Sequence, residues 1–280
     1  MPLSLKPVPA ARGAVWVRDA FRLFARRPFG FTGLFLVFLF AALAVMFVPL
    51  LGGVLQMALL PLLSLGFMVA ARSALGGGPV QPGHFVEPLT GDPARRRSLL
   101  MLCAAYGAGA VLVLWLSNWV ADGKLQQGYV LLGSGQASDE QAQAVFADRD
   151  VFLGVLSFFG GGALLSVPFW HAPALVHWGG QSAGQALFSS TLGVWRAKGA
   201  FLVYALTWLA VIFGFGIGTA LLLGLIGAAP LAGVLAMPAG LVFSTVFYVS
   251  LLFTFSDTFG DRAGQDDAEP PAPAALPLDG

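Results

Sequence analysis

The sequence predicts an all-α polytopic membrane protein, with six transmembrane helices as three hairpins and amphipathic interfacial helices before the first and fifth spans. Three observations predict it. The chain is 57% hydrophobic and 10% charged, against roughly 25% charged residues in an average soluble domain. Its charges are absent from long stretches: Pro28 to Ala71 (44 residues), Ser98 to Ala121, Val151 to Trp195 with only two histidines, and Gly199 to Ser256 (58 residues). A spanning helix needs about 20 mostly apolar residues, whereas a soluble surface helix is apolar along one stripe only. Finally, the basic residues alternate with these stretches in a way that fixes a topology.

Residues 1–28 form a basic arm. Val17, Ala20, Phe21 and Phe24 follow i, i+3, i+4, i+7 spacing, one face of a helix, and Arg18, Arg22 and Arg26 form a stripe opposite it. With Arg27, these arginines are candidates for contact with anionic lipid headgroups. Residues 29–256 form the transmembrane domain. The first span, about 29–50, stops at Pro49 and the pair Gly52 and Gly53. Ala42, Leu43 and Ala44 have the form of a signal-peptide cleavage site, but the preceding basic region is too long, so the segment reads as a retained span. The second span, about 54–71, contains Pro61. The third, about 99–120, contains Cys103, the single cysteine, which excludes an intrachain disulfide.

The loop 121–150 is the one long external connection, and Ser138 is placed to cap a short helix within it. The fourth span, about 151–176, carries Gly160, Gly161, Gly162 and Pro168, and closes on "PFWHAPALVHW", residues 168–178. Trp170 and Trp178 read there as interfacial anchors in an aromatic belt, with Pro173 ending the helix at water. Phe188, Thr191, Leu192 and Trp195 then repeat the spacing of the first amphipathic helix 171 residues later, and Trp195 reads as a third anchor. The fifth span (about 200–226) and the sixth (about 231–255) are joined by a tight turn from Gly227 to Pro230. Residues 257–280 are acidic and Pro-rich, too polar to build a core, and read as a disordered tail.

All Lys and Arg except Lys124 and Arg149 fall on the side of the arm, the second-to-third loop, the fourth-to-fifth loop and the tail. The positive-inside rule places that side, with both termini, in the cytoplasm of a bacterial inner membrane.

Candidate chemistry is sparse. His171 and His177 are six residues apart, about 120° around a helix, whereas a helical metal pair needs i, i+3 or i+4. His84 with Glu87 one turn on is a second, cytoplasmic candidate. No ionisable side chain lies inside a span, where proton relays and ion-coupled sites usually need one. No catalytic, cofactor-binding or metal-binding residue is therefore assigned, and no cofactor is expected. Prolines 61, 168 and 238 and the glycine triplet mark either helix packing or a cavity. The residues for such a cavity or packing face are Gly160, Gly161, Gly162, Gly214, Gly218, Ser244 and Tyr248. Expected partners are the lipid bilayer with its anionic headgroups and a second copy or another membrane protein, and no nucleic acid.

With "RDAFRLFARRP" before the first span and "PFWHAPALVHW" closing the fourth, the chain resembles an uncharacterised proteobacterial inner-membrane family, known as hypothetical transmembrane proteins, over about residues 14–260. The surface helix before paired hairpins is more distantly similar to the membrane domain of glycerophosphodiester phosphodiesterases. The resemblance implies topology and location and brings no active residues. The reading is a non-enzymatic integral inner-membrane protein, a scaffold or a component of envelope maintenance acting through lipid or protein contacts. The alternative is a transporter or channel for a neutral or amphiphilic solute. The topology is tested by reporter fusions: alkaline phosphatase joined near Gln136 is expected to be active and at Gly260 inactive, and the reverse pattern overturns the orientation.

Overall fold

A computed structural model describes residues 4–49, 51–135, 137–228 and 231–260. Among these, thirteen α-helices and one 3-10 turn follow in order: α1 Arg12–Arg26, α2 Pro28–Met46, α3 Gly52–Ala58, α4 Leu60–Leu75, the turn Pro82–Phe85, α5 Glu87–Thr90, α6 Pro93–Val120, α7 Lys124–Gly133, α8 Asp139–Ala147, α9 Arg149–Phe169, α10 Ala172–Gly179, α11 Ala183–Arg196, α12 Lys198–Leu225 and α13 Leu231–Phe259. Five stretches are long and apolar enough to cross a membrane, and a sixth is gained if α3 and α4, which meet at a bend of 40°, count as one span. The chain is thus multi-pass. The second span differs from its expected form: Pro61 does not kink a continuous helix but sits in the first turn of α4, where its missing N–H costs nothing.

Helix α4 is the centre of the bundle. From Leu62 to Ala71 all its side chains except Ser64 are buried; it packs on α13, α6, α10 and the 3-10 turn. Helices α6 and α9 make the most extensive pairing in the molecule. A helix segment buried on every face must be apolar on every face, and from Leu62 to Ala71 only Ser64 is polar.

The basic arm is part of this core. Trp16, Val17, Ala20 and Leu23 of α1 are buried against α12 and α13. Trp16 meets Phe201 and Tyr204 of α12 with ring centroids 5.4 and 6.0 Å apart. Gly13 allows the closest approach, since a Cβ there would run into the Ala200 carbonyl. Asp257 locks the arrangement: Arg12 donates from Nε and Nη2 to its two carboxylate oxygens at 2.6 and 3.0 Å, and Trp16 Nε1 donates at 2.6 Å. The carboxylate raises the Arg12 guanidinium above its ordinary value, chiefly through the hydrogen bond. Main-chain bonds from Ser4 and Lys6 to the carbonyls of Phe259 and Thr258 complete the clamp.

Two expectations are corrected here. The apolar face of α1 packs on protein rather than lying free, with Val17 and Ala20 buried and Phe21 and Phe24 half buried, while the stripe Arg18, Arg22, Arg26 and Arg27 stays exposed. Residues 257–259, placed in the tail by composition, form the last turn of α13, with Thr258 and Phe259 buried. The remainder of the tail, 261–280, lies outside the described residues. The wedge of α1 also keeps the last two spans from packing as a tight hairpin: α12 and α13 touch each other far less than either touches α1.

Helix α11 behaves in the opposite way. Its buried face is made of Ala186, Ser190 and Gly193, and the apolar residues Phe188 and Trp195 point outward, 72% and 67% exposed. Lys198 sits over the Trp195 ring at 5.1 Å. Of the two amphipathic helices, only α11 presents its large apolar residues outside the protein.

At the loop end, α7 and α8 pack on α9, and Ser138 caps α8 as expected, with Gln141 completing a capping box. Lys124 bridges Asp148 and Asp150 at 2.8 and 2.6 Å, and its bond to Asp148 lowers that carboxyl. The connection 121–150 is therefore largely helical among its described residues.

The segment closing the fourth span also departs from its expected role. The helix breaks between Phe169 and Ala172, yet Ala172 to Val176 are wholly within the protein. The break is spliced by a side chain from α11. His171 N–H, which in an unbroken helix would donate to Val167 O, donates to Ser190 Oγ at 3.0 Å. The Ser190 hydroxyl in turn donates to Val167 O at 3.1 Å. Backbone polar groups at membrane depth must be met by protein, and here one hydroxyl meets both. The segment is a junction packed within the protein.

Replacing Asp257 with Asn removes the charge that Arg12 and Trp16 share. The expected cost is about 1–2 kcal/mol, held down by the partial exposure of the pair, read as a Tm lowered by a few degrees in detergent; Asp19→Asn, on an exposed pair, is expected to leave Tm unchanged. For the splice, Ser190→Ala is expected to cost about 1–3 kcal/mol. An unchanged Tm would show that His171 N–H and Val167 O find each other directly.

Candidate functional site

Splaying α12 from α13 leaves a cavity of about 670 Å³. Its walls are Trp170, Phe201, Tyr204, Trp208, Phe243 and Phe247, with Ser244 and Tyr248 from α13 and Leu209 and Ile212 at its half-exposed mouth. At 1.5 Å per residue, Phe201 to Ile212 lie within roughly 20 Å of the basic end of α12, so the cavity lies along the half of that helix nearest its basic end. A second cavity of about 140 Å³ lies between α4, α6, α9 and α13, lined by Pro61, Ser64, Tyr106, Ser166, Phe169 and Leu251. Trp170, Phe247 and Tyr248 line both. These three rings form the partition between the cavities.

The partition is held from behind. Trp170 meets Phe201 and Phe247 edge-on at 5.4 and 6.0 Å, and Tyr248 stacks on Phe67 of α4 at 5.3 Å. Trp170 Nε1 donates to Thr254 Oγ1 at 3.2 Å. The Thr254 hydroxyl donates to Leu251 O at 2.8 Å, so its one proton is used. His171 Nε2, 3.2 Å from the same oxygen, must then be the donor, which fixes the tautomer with Nδ1 unprotonated. That Nδ1 has no hydrogen-bond partner, and the ring lies among Phe201, Phe255 and Phe259. Tyr204 OH pairs with Ser250 Oγ at 2.7 Å. Most other hydroxyls in the spans turn back on their own helix: Ser64 to Pro61 O, Thr245 to Leu241 O, Thr207 to Val203 O. The cavity is therefore aromatic-walled with a few polar tips, a surface suited to an amphiphile or an alkyl chain.

Among the residues expected to form a cavity or packing face, Ser244 and Tyr248 line the main cavity. Gly161 packs on Val113 of α6, and Gly160, Gly162, Gly214 and Gly218 have no neighbour over their Cα atoms. The glycine triplet thus takes no part in the cavity, and Gly214 and Gly218 do not pack on another helix of the chain. The anchors divide as well. Trp195 is exposed, whereas Trp170 and Trp178 are half buried against protein. His84 pairs with Glu87 at 3.1 Å and with Pro79 O at 3.1 Å. His171 keeps to the Thr254 network, and no group of three or more His, Cys, Asp or Glu among the described residues could hold a metal ion. Sequence reasoning missed Trp170, Phe247, Phe201 and Trp208 as cavity walls. Their signal was the density of aromatic residues on α12 and α13 near the basic end, which reads equally as lipid-facing surface.

No family model matches the chain, and no solved structure matches it. A curated protein of Burkholderia thailandensis, described as a probable inner membrane protein, is 31% identical over 259 residues, covering 92% of this chain and 94% of its own. That match carries no link to glycerophosphodiester phosphodiesterases. Apolar spans, a helical bundle and near full-length similarity agree: the chain is an integral membrane protein belonging to the family of this probable inner membrane protein of Burkholderia thailandensis.

Proposed function

We propose that this protein is a non-enzymatic lipid-binding component of the bacterial inner membrane, acting in envelope maintenance by holding the alkyl portion of an amphiphile between α12 and α13. Both termini and the basic end face the cytoplasm in this reading, following the bias of Lys and Arg. The observation that carries it is the lateral cavity of about 670 Å³, walled by Trp170, Phe201, Tyr204, Trp208 and Phe247 and open at Leu209 and Ile212. Its size falls within the range of about 300–1,000 Å³ typical of small-molecule sites. The exposed stripe Arg18, Arg22, Arg26 and Arg27 supplies anionic headgroup contacts beside it. The outward face of α11, with Phe188 and Trp195, supplies apolar insertion at the same end.

A second reading, passage of an amphiphile, draws on one specific observation: two cavities share the wall Trp170, Phe247 and Tyr248. A rotamer change in those rings would join them.

Native mass spectrometry of the detergent-purified protein tests the first reading. A lipid-sized adduct is expected on the wild type and is expected to fall at least severalfold on Ser244→Phe, which fills the cavity. Absence of any adduct, or equal retention by both, overturns lipid binding in this cavity. Dithionite quenching of fluorescent phospholipid in proteoliposomes separates the second reading, since only passage accelerates loss of inner-leaflet signal.

A further inference from the structure

Along α13 the hydroxyls fall into two sets. Thr245, Ser250, Thr254 and Thr258 donate to carbonyls of their own helix, at 2.7, 2.6, 2.8 and 2.7 Å. Ser244 and Tyr248 do not, and among the described residues neither hydroxyl has a hydrogen-bond partner in the protein. They stand four residues apart, on one face of the helix, and both line the cavity of about 670 Å³. Ser256, the remaining serine, is exposed at the end of the helix. The hydroxyls of α13 that keep their protons inside the bundle are thus the ones that line the cavity. The facing wall has a donor of the same kind. Trp208 of α12 lines the cavity and is 7% exposed, and its indole Nε1 is buried with no hydrogen-bond partner. It stands beside the Tyr204 hydroxyl without bonding to it. Tyr204 has spent its own proton: Ser250 donates to Phe247 O, so Tyr204 is the donor in its 2.7 Å pair with Ser250.

The polar inventory of the cavity is therefore one-sided. Its unspent groups are O–H and N–H donors, while Trp170 and Tyr204 are committed to Thr254 and Ser250. No Asp, Glu, Lys, Arg or His lines it. A donor left unmatched in apolar surroundings carries its full desolvation cost. A bare hydrocarbon offers these donors nothing, and an ionised group would lie there without a counter-charge. What matches is a neutral acceptor on an apolar body. We propose that the amphiphile held between α12 and α13 is an acyl ester lipid, selected by an ester carbonyl that accepts from Ser244 and Tyr248. This selectivity rests on the lipid binding proposed above and adds to it the group that is recognised. The aromatic walls hold the alkyl chain, and the two hydroxyls set where along the cavity its first carbon sits.

The full chain, delipidated in detergent, is offered equal amounts of dipalmitoyl phosphatidylglycerol and dihexadecyl phosphatidylglycerol, and the two adducts are compared by native mass spectrometry. The lipids share headgroup and chain length and differ in ester against ether linkage. The ester lipid is expected to be retained about fivefold or more over the ether lipid. Ser244→Ala and Tyr248→Phe are each expected to lower that ratio about twofold or more, and the double variant to bring it close to one. Thr207→Val, which removes a hydroxyl already spent on Val203 O outside the cavity wall, is expected to leave the ratio unchanged. Absence of both adducts overturns lipid binding in the cavity and the selectivity with it. Equal adducts on the wild type overturn the selectivity alone and leave lipid binding standing. A ratio that survives in the double variant overturns the assignment to these hydroxyls. Both substitutions delete a hydroxyl without a protein partner, so an unchanged Tm is expected. Should Tyr248→Phe not fold, Ser244→Ala serves alone, with an unchanged ratio overturning the assignment.

Discussion

The Asp257 carboxylate joins the first helix to the last. Through Arg12 and Trp16 it seats α1 between α12 and α13, and the rest of the basic half of the bundle follows from that seating. With α1 in place, α12 does not close on α13, and the aromatic side chains that α1 packs against on one side line the gap on the other. Hydrophobic burial supplies most of the energy of the contact, through Trp16, Val17, Ala20 and Leu23. The carboxylate supplies its register, because a fork and an indole N–H converge on one pair of oxygens. Gly13 sets the depth, by letting the α1 backbone reach that of α12.

Much of the fold could be read directly from composition. Stretches without charge mark spans because the bilayer forbids them otherwise, and Ser138 and Gln141 announce their helix start through a local hydrogen-bond pattern. What escaped depends on partners distant in sequence. The amphipathic spacing of Val17, Ala20, Phe21 and Phe24 correctly reports a helix with one apolar face, but periodicity does not distinguish burial in lipid from burial in protein. The same spacing at Phe188, Thr191, Leu192 and Trp195 marks a helix whose apolar face points outward, while its inner face is built from Ala186, Ser190 and Gly193. Small residues carry little hydrophobic signal, yet they permit close packing. The cavity residues Ser244 and Tyr248 were legible as polar groups in an apolar span; the walls that make them a site were not, because any span is rich in aromatics.

Within the spans, most hydroxyls return to their own helices or pair across one contact, as Tyr204 does with Ser250, leaving little to attract water. Among the described residues the buried polar atoms left unmatched are His171 Nδ1 and Trp208 Nε1 beside the cavity and Arg95 Nε, His177 Nδ1 and Gln181 Oε1 toward the basic end.

The Ser190 hydroxyl that closes the backbone ladder between Val167 and His171 also bears on how the chain is made. During synthesis residue 190 leaves the ribosome after the fourth span does, so the carbonyl and N–H at the break emerge ahead of their eventual partner. The ladder is completed only when α11 folds back against it. A chain ending between residues 178 and 190 would carry the whole span without the hydroxyl, and its seam would stay open.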